Sequence, residues 1–408
     1  MKNTLIKVDL NTPPEEQDVL HNRWHPDIPM VAMVNPGDEF RVECMDWTGG
    51  QIQNDDDATD IKDVDLTKVH YLSGPIGVKG AEPGDLLVVD ILDVGVRDES
   101  DWGFTGLFAK ENGGGFLTDH YPDARKACWD FHGIKTSSRH IPNVEFAGIM
   151  HPGLIGCLPS RELLDEWNKR EKELFDTDPD RVPALCTLPY ADTAHMGRMS
   201  GDEAAMAAKE AARTVPPREH GGNCDIKNLT KGSKVYFPVY VKDGGLSMGD
   251  IHFSQGDGEI TFCGAIEMAG YLDIRVSLIK QGVKKYGVIN PIFEPSPTEP
   301  RYSDYLIFEG ISVDETTGKQ GYLDVHTAYR RACLNAIEYM KKFGYTGEQA
   351  YAILGTAPVE GHISGIVDIP NACATLFLPT EIFDFDIKPN ADGPKNSVTT
   401  ETDLAKAK

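Results

Sequence analysis

Turn-forming residues recur so often along this chain that its regular segments must be mostly short. Forty glycines and 26 prolines are spread over 408 residues, and each cluster of them ends one element and starts another. In Ala81 to Ile91 the trio Pro83-Gly84-Asp85 reads as a turn. The run Leu86-Leu87-Val88-Val89-Asp90-Ile91 follows at once, as expected of a strand buried on both faces. Glu39 to Cys44 alternates polar and apolar residues, the period of a half-buried strand. Strand patterning returns over Val235–Val241, Gly249–Glu259 and Ile260–Cys263.

Helical spacing is confined to a few places. Ser160 is placed to cap a charged helix from Arg161 to about Phe175. Tyr329, Cys333, Ile337 and Met340 share one face of a helix within 323–343. Thr346 and Gln349 form a capping-box pattern that opens a helix ending at Gly355. The fold class is therefore mainly β with peripheral helices, an α+β arrangement. Residues 1–388 read as one unit of interleaved β subdomains. Residues 389–408 lack periodicity and read as a flexible or subunit-contacting tail.

The formal charge of −24 argues against nucleic acid or an anionic membrane surface as partner, since both need clustered Lys and Arg. No stretch approaches 18 uninterrupted apolar residues, and the N-terminus lacks the apolar core of a signal peptide. The eight cysteines are scattered without a Cys-x-x-Cys pair. This pattern points to free thiols in a reducing cytoplasm.

Chemistry-bearing side chains concentrate in two segments. Gly249-Asp250-Ile251-His252-Phe253-Ser254-Gln255-Gly256-Asp257-Gly258-Glu259 holds an Asp-x-His pair, a Gln and an Asp-x-Glu pair within eleven positions. Residues two apart on a strand share a face, so Asp250 and His252 are expected to point together, as are Asp257 and Glu259. The second segment, Arg218 to Asp225, carries His220, Asn223 and Asp225 around a Gly-Gly pair. A solvated hairpin would explain either segment alone; the density of donors in the first exceeds what a turn needs. His140, His195 and His362 lie in turn-rich sequence and read as structural.

These segments, from His220 to Lys227 and from Gly249 to Glu259, closely resemble the acetamidase/formamidase family. Ser73-Gly74-Pro75-Ile76, Ala81 to Asp85 and His151-Pro152-Gly153-Leu154-Ile155-Gly156 extend the resemblance over at least residues 73–380. Phe253-Ser254-Gln255 with Cys263 to Met268 is similar to the branch that splits formamide into formate and ammonia. The resemblance implies a homo-oligomeric hydrolase of small neutral amides, with a largely β sandwich or barrel fold.

An amide is a poor electrophile, so its hydrolysis needs a strong nucleophile, a polarised carbonyl and a proton for the departing nitrogen. A divalent metal, zinc above all, would meet the first two needs, with Asp250, His252 and Asp225 as ligands. Glu259, His220 or Asp257 would move the proton. Asn223, Gln255 and His151 are the candidates to hold substrate. A covalent route would use Cys224 as its best-placed thiol, and a Ser137-Ser138 pair is its faint serine counterpart. A cupin-like metal-binding protein, acting as binder, sensor or oxygenase, is the competing class, although cupins carry His-x-His where this chain has Asp250-x-His252. An amidase of broader short-chain preference is the nearer alternative.

Overall fold

The computed structural model describes residues 3–399 and 401–408. The Leu86–Val96 strand expected after the Pro83 turn lies inside a six-stranded sheet. Its neighbours are Gly270–Ile279 and Lys234–Pro238, both antiparallel to it. Glu39–Cys44 flanks Gly270–Ile279, and Thr4–Ile6 and Ile292–Glu294 close the two edges.

A branched thirteen-stranded sheet stacks against the first. The main core holds Val42, Val89 and Ile274 from one sheet and Ile76, Ile155 and Met248 from the other, all nearly excluded from solvent. Each such side chain adds about 1.5–3 kcal/mol relative to exposure. The alternation in Glu39–Cys44 is reproduced, with Phe40, Val42 and Cys44 buried. The molecule is thus a mainly β sandwich with few helices, one of which, Gly347–Thr356, is buried in the main core.

The helices sit where the spacing placed them. Ser160 Oγ accepts from Leu163 N at the start of Arg161–Phe175. Asp324 caps Val325–Lys341, which buries Cys333, Ile337 and Met340 against a three-stranded sheet of Tyr305–Ile311, Cys373–Pro379 and Glu360–Gly365. The Thr346/Gln349 capping box opens Gly347–Thr356. Residues at the C-terminus fold back on the same chain: Leu404 is buried, and Ala405–Lys406 pairs with Arg125–His132.

Two sequence expectations change. The strand read from Ile260 begins only at Phe262 and runs to Met268. The strand read over Gly249–Glu259 spans Leu246–His252 and stops there. The following residues form a loop because Gly258 (φ 93°) and Glu259 (φ 44°) turn the backbone out of the extended region. Gly256 lets this loop touch the end of Gly347–Thr356. A Cβ there would meet Leu354 O at 2.0 Å and Ala357 O at 3.1 Å, both main-chain atoms that cannot swing aside. Gly256→Ala is expected to lower unfolding stability by about 1–3 kcal/mol, measured as a lower urea midpoint with unchanged slope.

Candidate active site

Register brings the site together. In the large sheet, the strand Leu246–His252 runs between His151–Cys157 and Phe262–Met268. Its last residue, His252, stands opposite His151 on one side and Glu267 on the other. Beyond His151–Cys157 lies Gly221–Asn223, and the chain leaving it is tied back when Asp225 N donates to Gly153 O at 3.1 Å. Asp225, Asp250, His252, Glu259 and Glu267 then meet at one place, with His252 common to both groups of converging donor atoms.

Three of these donors bend the backbone to get there. Asp225 (φ 49°), Asp250 (φ 54°) and Glu259 (φ 44°) lie in the left-handed region. Such conformations are unfavourable for a residue with a Cβ, and least so for Asp.

His252 is fixed by a chain of hydrogen bonds. Gln255 Nε2 donates to Asp225 O at 2.7 Å, which turns Gln255 Oε1 toward the imidazole. His252 Nδ1 lies 3.0 Å from that oxygen and 3.2 Å from His151 Nε2. His151 is itself oriented, because its Nδ1 donates to Ile149 O at 2.6 Å. Nδ1 of His252 therefore carries a proton toward these acceptors, and Nε2 faces the carboxylates, 3.2 Å from Asp250 Oδ1 and 3.1 Å from Glu267 Oε2.

Burial governs the electrostatics. It would strip the proton from His252, but the Glu267 and Asp250 carboxylates hold it well above the usual imidazole range. Burial would also raise Asp250, yet His252 keeps that carboxyl down at about 2. The remaining acids respond by keeping protons. Burial and then the Asp250 charge push Asp225 up to about 7. Burial raises Glu267 to about 8 against the pull of His252. Glu259 is raised by burial and by Asp225.

This donor set fits a divalent cation. Asp225 Oδ1, His252 Nε2 and Glu267 Oε2 are buried without a well-aligned hydrogen bond, His252 Nε2 meeting the acids at ion-pair distance alone. Gly153 leaves the space between two of them clear: a Cβ there would meet His252 Cε1 at 2.5 Å and Asp225 Oδ1 at 2.8 Å. A pocket of about 210 Å³, lined by Asp46, Trp102, Phe104 and Glu267 among others, reaches this cluster from the surface.

Other candidate residues stand elsewhere. His220 is fully buried between Trp24 and Trp167, with ring centroids 4.4 and 4.6 Å away, and its Nδ1 donates to Cys157 O. It supports the fold, outside the donor cluster. Asp257 does not share a face with Glu259. It bonds the buried Lys227 Nζ at 2.6 Å and accepts from Gly361 N at 2.9 Å, so it anchors the loop that presents Glu259. Gln255 and His151 stand behind the His252 ring. Asn223 Nδ2 donates to Val215 O. Burial pushes the Cys224 thiol up to about 12, which leaves it unreactive. Ser137 lies on Lys135–Ser138, between the strands Arg125–His132 and Ile141–Ala147 and away from the donor cluster, with His132 beside it.

Glu267 went unrecognised in the sequence as a donor. The signal was present, since a single acid in the apolar strand Phe262–Met268 is costly to bury unless charge or a proton compensates it.

The model of the acetamidase/formamidase family matches residues 7–385, and the chain belongs to that family. Among its relatives, a formamidase of Methylophilus methylotrophus is 76% identical over 403 residues, covering 98% of this chain and 99% of the relative. An acetamidase of Mycolicibacterium smegmatis is 58% identical over 88% of this chain and 91% of its own. The solved structure of a gamma lactamase from Delftia acidovorans superposes with a TM-score of 0.99 at 68% identity, covering 100% of this chain and 99% of that one.

The position of His220 makes acid stability measurable. Burial lowers its pKa from 6.5 to about 3. Between these values the unfolded chain binds a proton that the folded chain does not, so stability falls as pH drops below 6.5. The expected contribution is about 1.4 kcal/mol per pH unit. His220→Gln should show a correspondingly shallower loss of stability from pH 6.5 to 5 in denaturant titrations than the wild type.

Proposed function

We propose that this chain hydrolyses formamide to formate and ammonia, using a divalent cation, zinc in the first instance, held by Asp225, Asp250 and His252 with Glu267 beside them. The observation that carries the reading is the meeting of one imidazole and four carboxylic acids in a chain 76% identical to a formamidase. A cation bound there would supply Lewis acidity, polarising the amide carbonyl and acidifying water.

The chain's own groups do the rest. Gln255 and His151 hold the His252 ring so that Nε2 faces the site. Glu259, braced where Gly264 N donates to its Oε1 at 3.3 Å, accepts the proton of the attacking water as the carbon–oxygen bond forms. It returns that proton to nitrogen as the carbon–nitrogen bond breaks. Burial favours protons on Asp225, Glu259 and Glu267, whose place a cation held there would take. Asp257 and Lys227 keep the Glu259 loop in place.

Two further assignments accompany this reading. The protein works in the cytoplasm, consistent with eight free cysteines. Among the described residues, no helix is long and apolar enough to cross a membrane. It assembles with copies of itself, for which the exposed Ile363, Ile366, Val367 and Ile369 beside the three-stranded sheet are suited.

Burial holds Asp225 and Glu267 well above the usual carboxylate range, so zinc binding should release protons and affinity is expected to rise with pH. Calorimetry in two buffers of different ionisation heat measures the release. Asp250→Asn and His252→Ala should lose bound metal and formamide turnover together, with melting temperatures recorded on the same samples. Metal retained in both variants would refute the ligand assignment.

The gamma lactamase at 68% identity supports a second reading, a broader amidase that also opens a cyclic amide. Ammonia release from formamide and acetamide, compared with ring opening of a γ-lactam, separates the two. Formamide is expected to exceed acetamide by roughly 5- to 150-fold in kcat/KM, the cost of fitting an added methyl group. A preparation that prefers acetamide or the lactam would overturn the formamide assignment.

A further inference from the structure

One imidazole near the cluster is still without a role. Ser73 stands opposite Met248 in the sheet, and a Cβ on Gly249 would lie 2.8 Å from Tyr71 O. The chain just before Ser73 therefore runs beside Asp250, and His70 sits there. Its side chain is 7% exposed. The charges of Asp250 and His252 both act on its ring, and His70 in turn acts on Asp250.

The ring is held from behind. His70 N donates to Thr214 Oγ1 at 2.5 Å, and the same hydroxyl lies 3.4 Å from Nδ1. Trp47 packs on the ring at 5.1 Å between centroids and is braced by Phe108. Trp47 follows Asp46, which lines the pocket together with Glu267. No residue among those described bonds His70 Nε2, and that atom is not sealed from solvent. The Thr214 hydroxyl has two acceptors in reach, Nδ1 at 3.4 Å and His70 O at 3.5 Å, and in the tautomer where it donates to Nδ1 the ring proton is on Nε2, which makes the free atom a donor. His151 cannot serve in this way, because both of its ring nitrogens are engaged.

We propose that His70 Nε2–H binds the carbonyl oxygen of the substrate amide and strengthens its hold as negative charge gathers there. This role rests on the amide-hydrolase reading above, and it adds a side-chain donor to the carbonyl oxygen that a bound cation would polarise. No bond to His70 is made or broken. The donor stands in place before reaction, so its contribution falls on the chemical step.

His70→Ala should lower kcat about 100-fold with KM changed by less than about threefold and zinc content equal to the wild type. His70→Gln places an amide N–H near the position of Nε2 and should recover at least about tenfold of that loss. It also serves if the alanine variant fails to fold, since it should then stay within about tenfold of wild-type kcat. Equal losses in both variants, a change confined to KM, unchanged kcat in the alanine variant, or loss of zinc in either would overturn the assignment. The carbonyl is common to formamide, acetamide and a γ-lactam, so the comparison is made on whichever amide the wild type hydrolyses. Failure of the formamide assignment is seen separately, in the wild type alone.

Discussion

Four carboxylic acids share one small, nearly dry volume around His252, and everything near them answers to that charge. An ionised carboxylate taken from water without a partner costs several kcal/mol. The chain meets the cost with a proton on His252, further protons on Asp225, Glu259 and Glu267, and a backbone braced against repulsion. A divalent cation would replace those protons with one charge centre. Such a site is poor at holding the fold together and well suited to binding a metal, because its donors are already assembled.

The sandwich supplies the bracing. Strand pairing fixes His151, His252 and Glu267 in a row across three strands, so their separation is set by the hydrogen-bond ladder. The Asp225 and Glu259 loops have no such ladder and are fastened by a few separate hydrogen bonds. Gln255 grips Asp225 O, and the buried Lys227 links Asp257 to Val359 O. The rigid sheet thus positions the nitrogen donor and two acids, Asp250 and Glu267, while two clamped loops bring Asp225 and Glu259.

Much of this was legible in the sequence. Period-two alternation marked Glu39–Cys44, the Pro83 turn marked the strand after it, and the caps at Ser160 and Thr346 marked two helices to within a residue. Asp250 and His252 were visible as a same-face pair, and their nitrogen and oxygen atoms do meet. What failed was the extension of that rule past His252. Asp257 and Glu259 are also two apart, but the alternation holds only along a paired strand, and the strand ends at His252. His220 looked like a proton carrier because it lies close in sequence to Asp225. Trp24 and Trp167, which enclose it, come from distant segments that no local pattern could connect to it. Glu267 and His70 were passed over for a related reason, since their neighbours in the site come from segments far away in the chain.

The left-handed backbone at Asp225, Asp250 and Glu259 also bears on how such a chain would drift. Each conformation withholds something of the order of 1 kcal/mol that glycine would return. Only the side chains' task in the site favours keeping them. In a lineage that no longer needed the activity, glycine or asparagine at these positions would be gained with a net increase in stability. The loss of function would then be recorded first in the backbone of the site, while the sandwich around it remained unchanged.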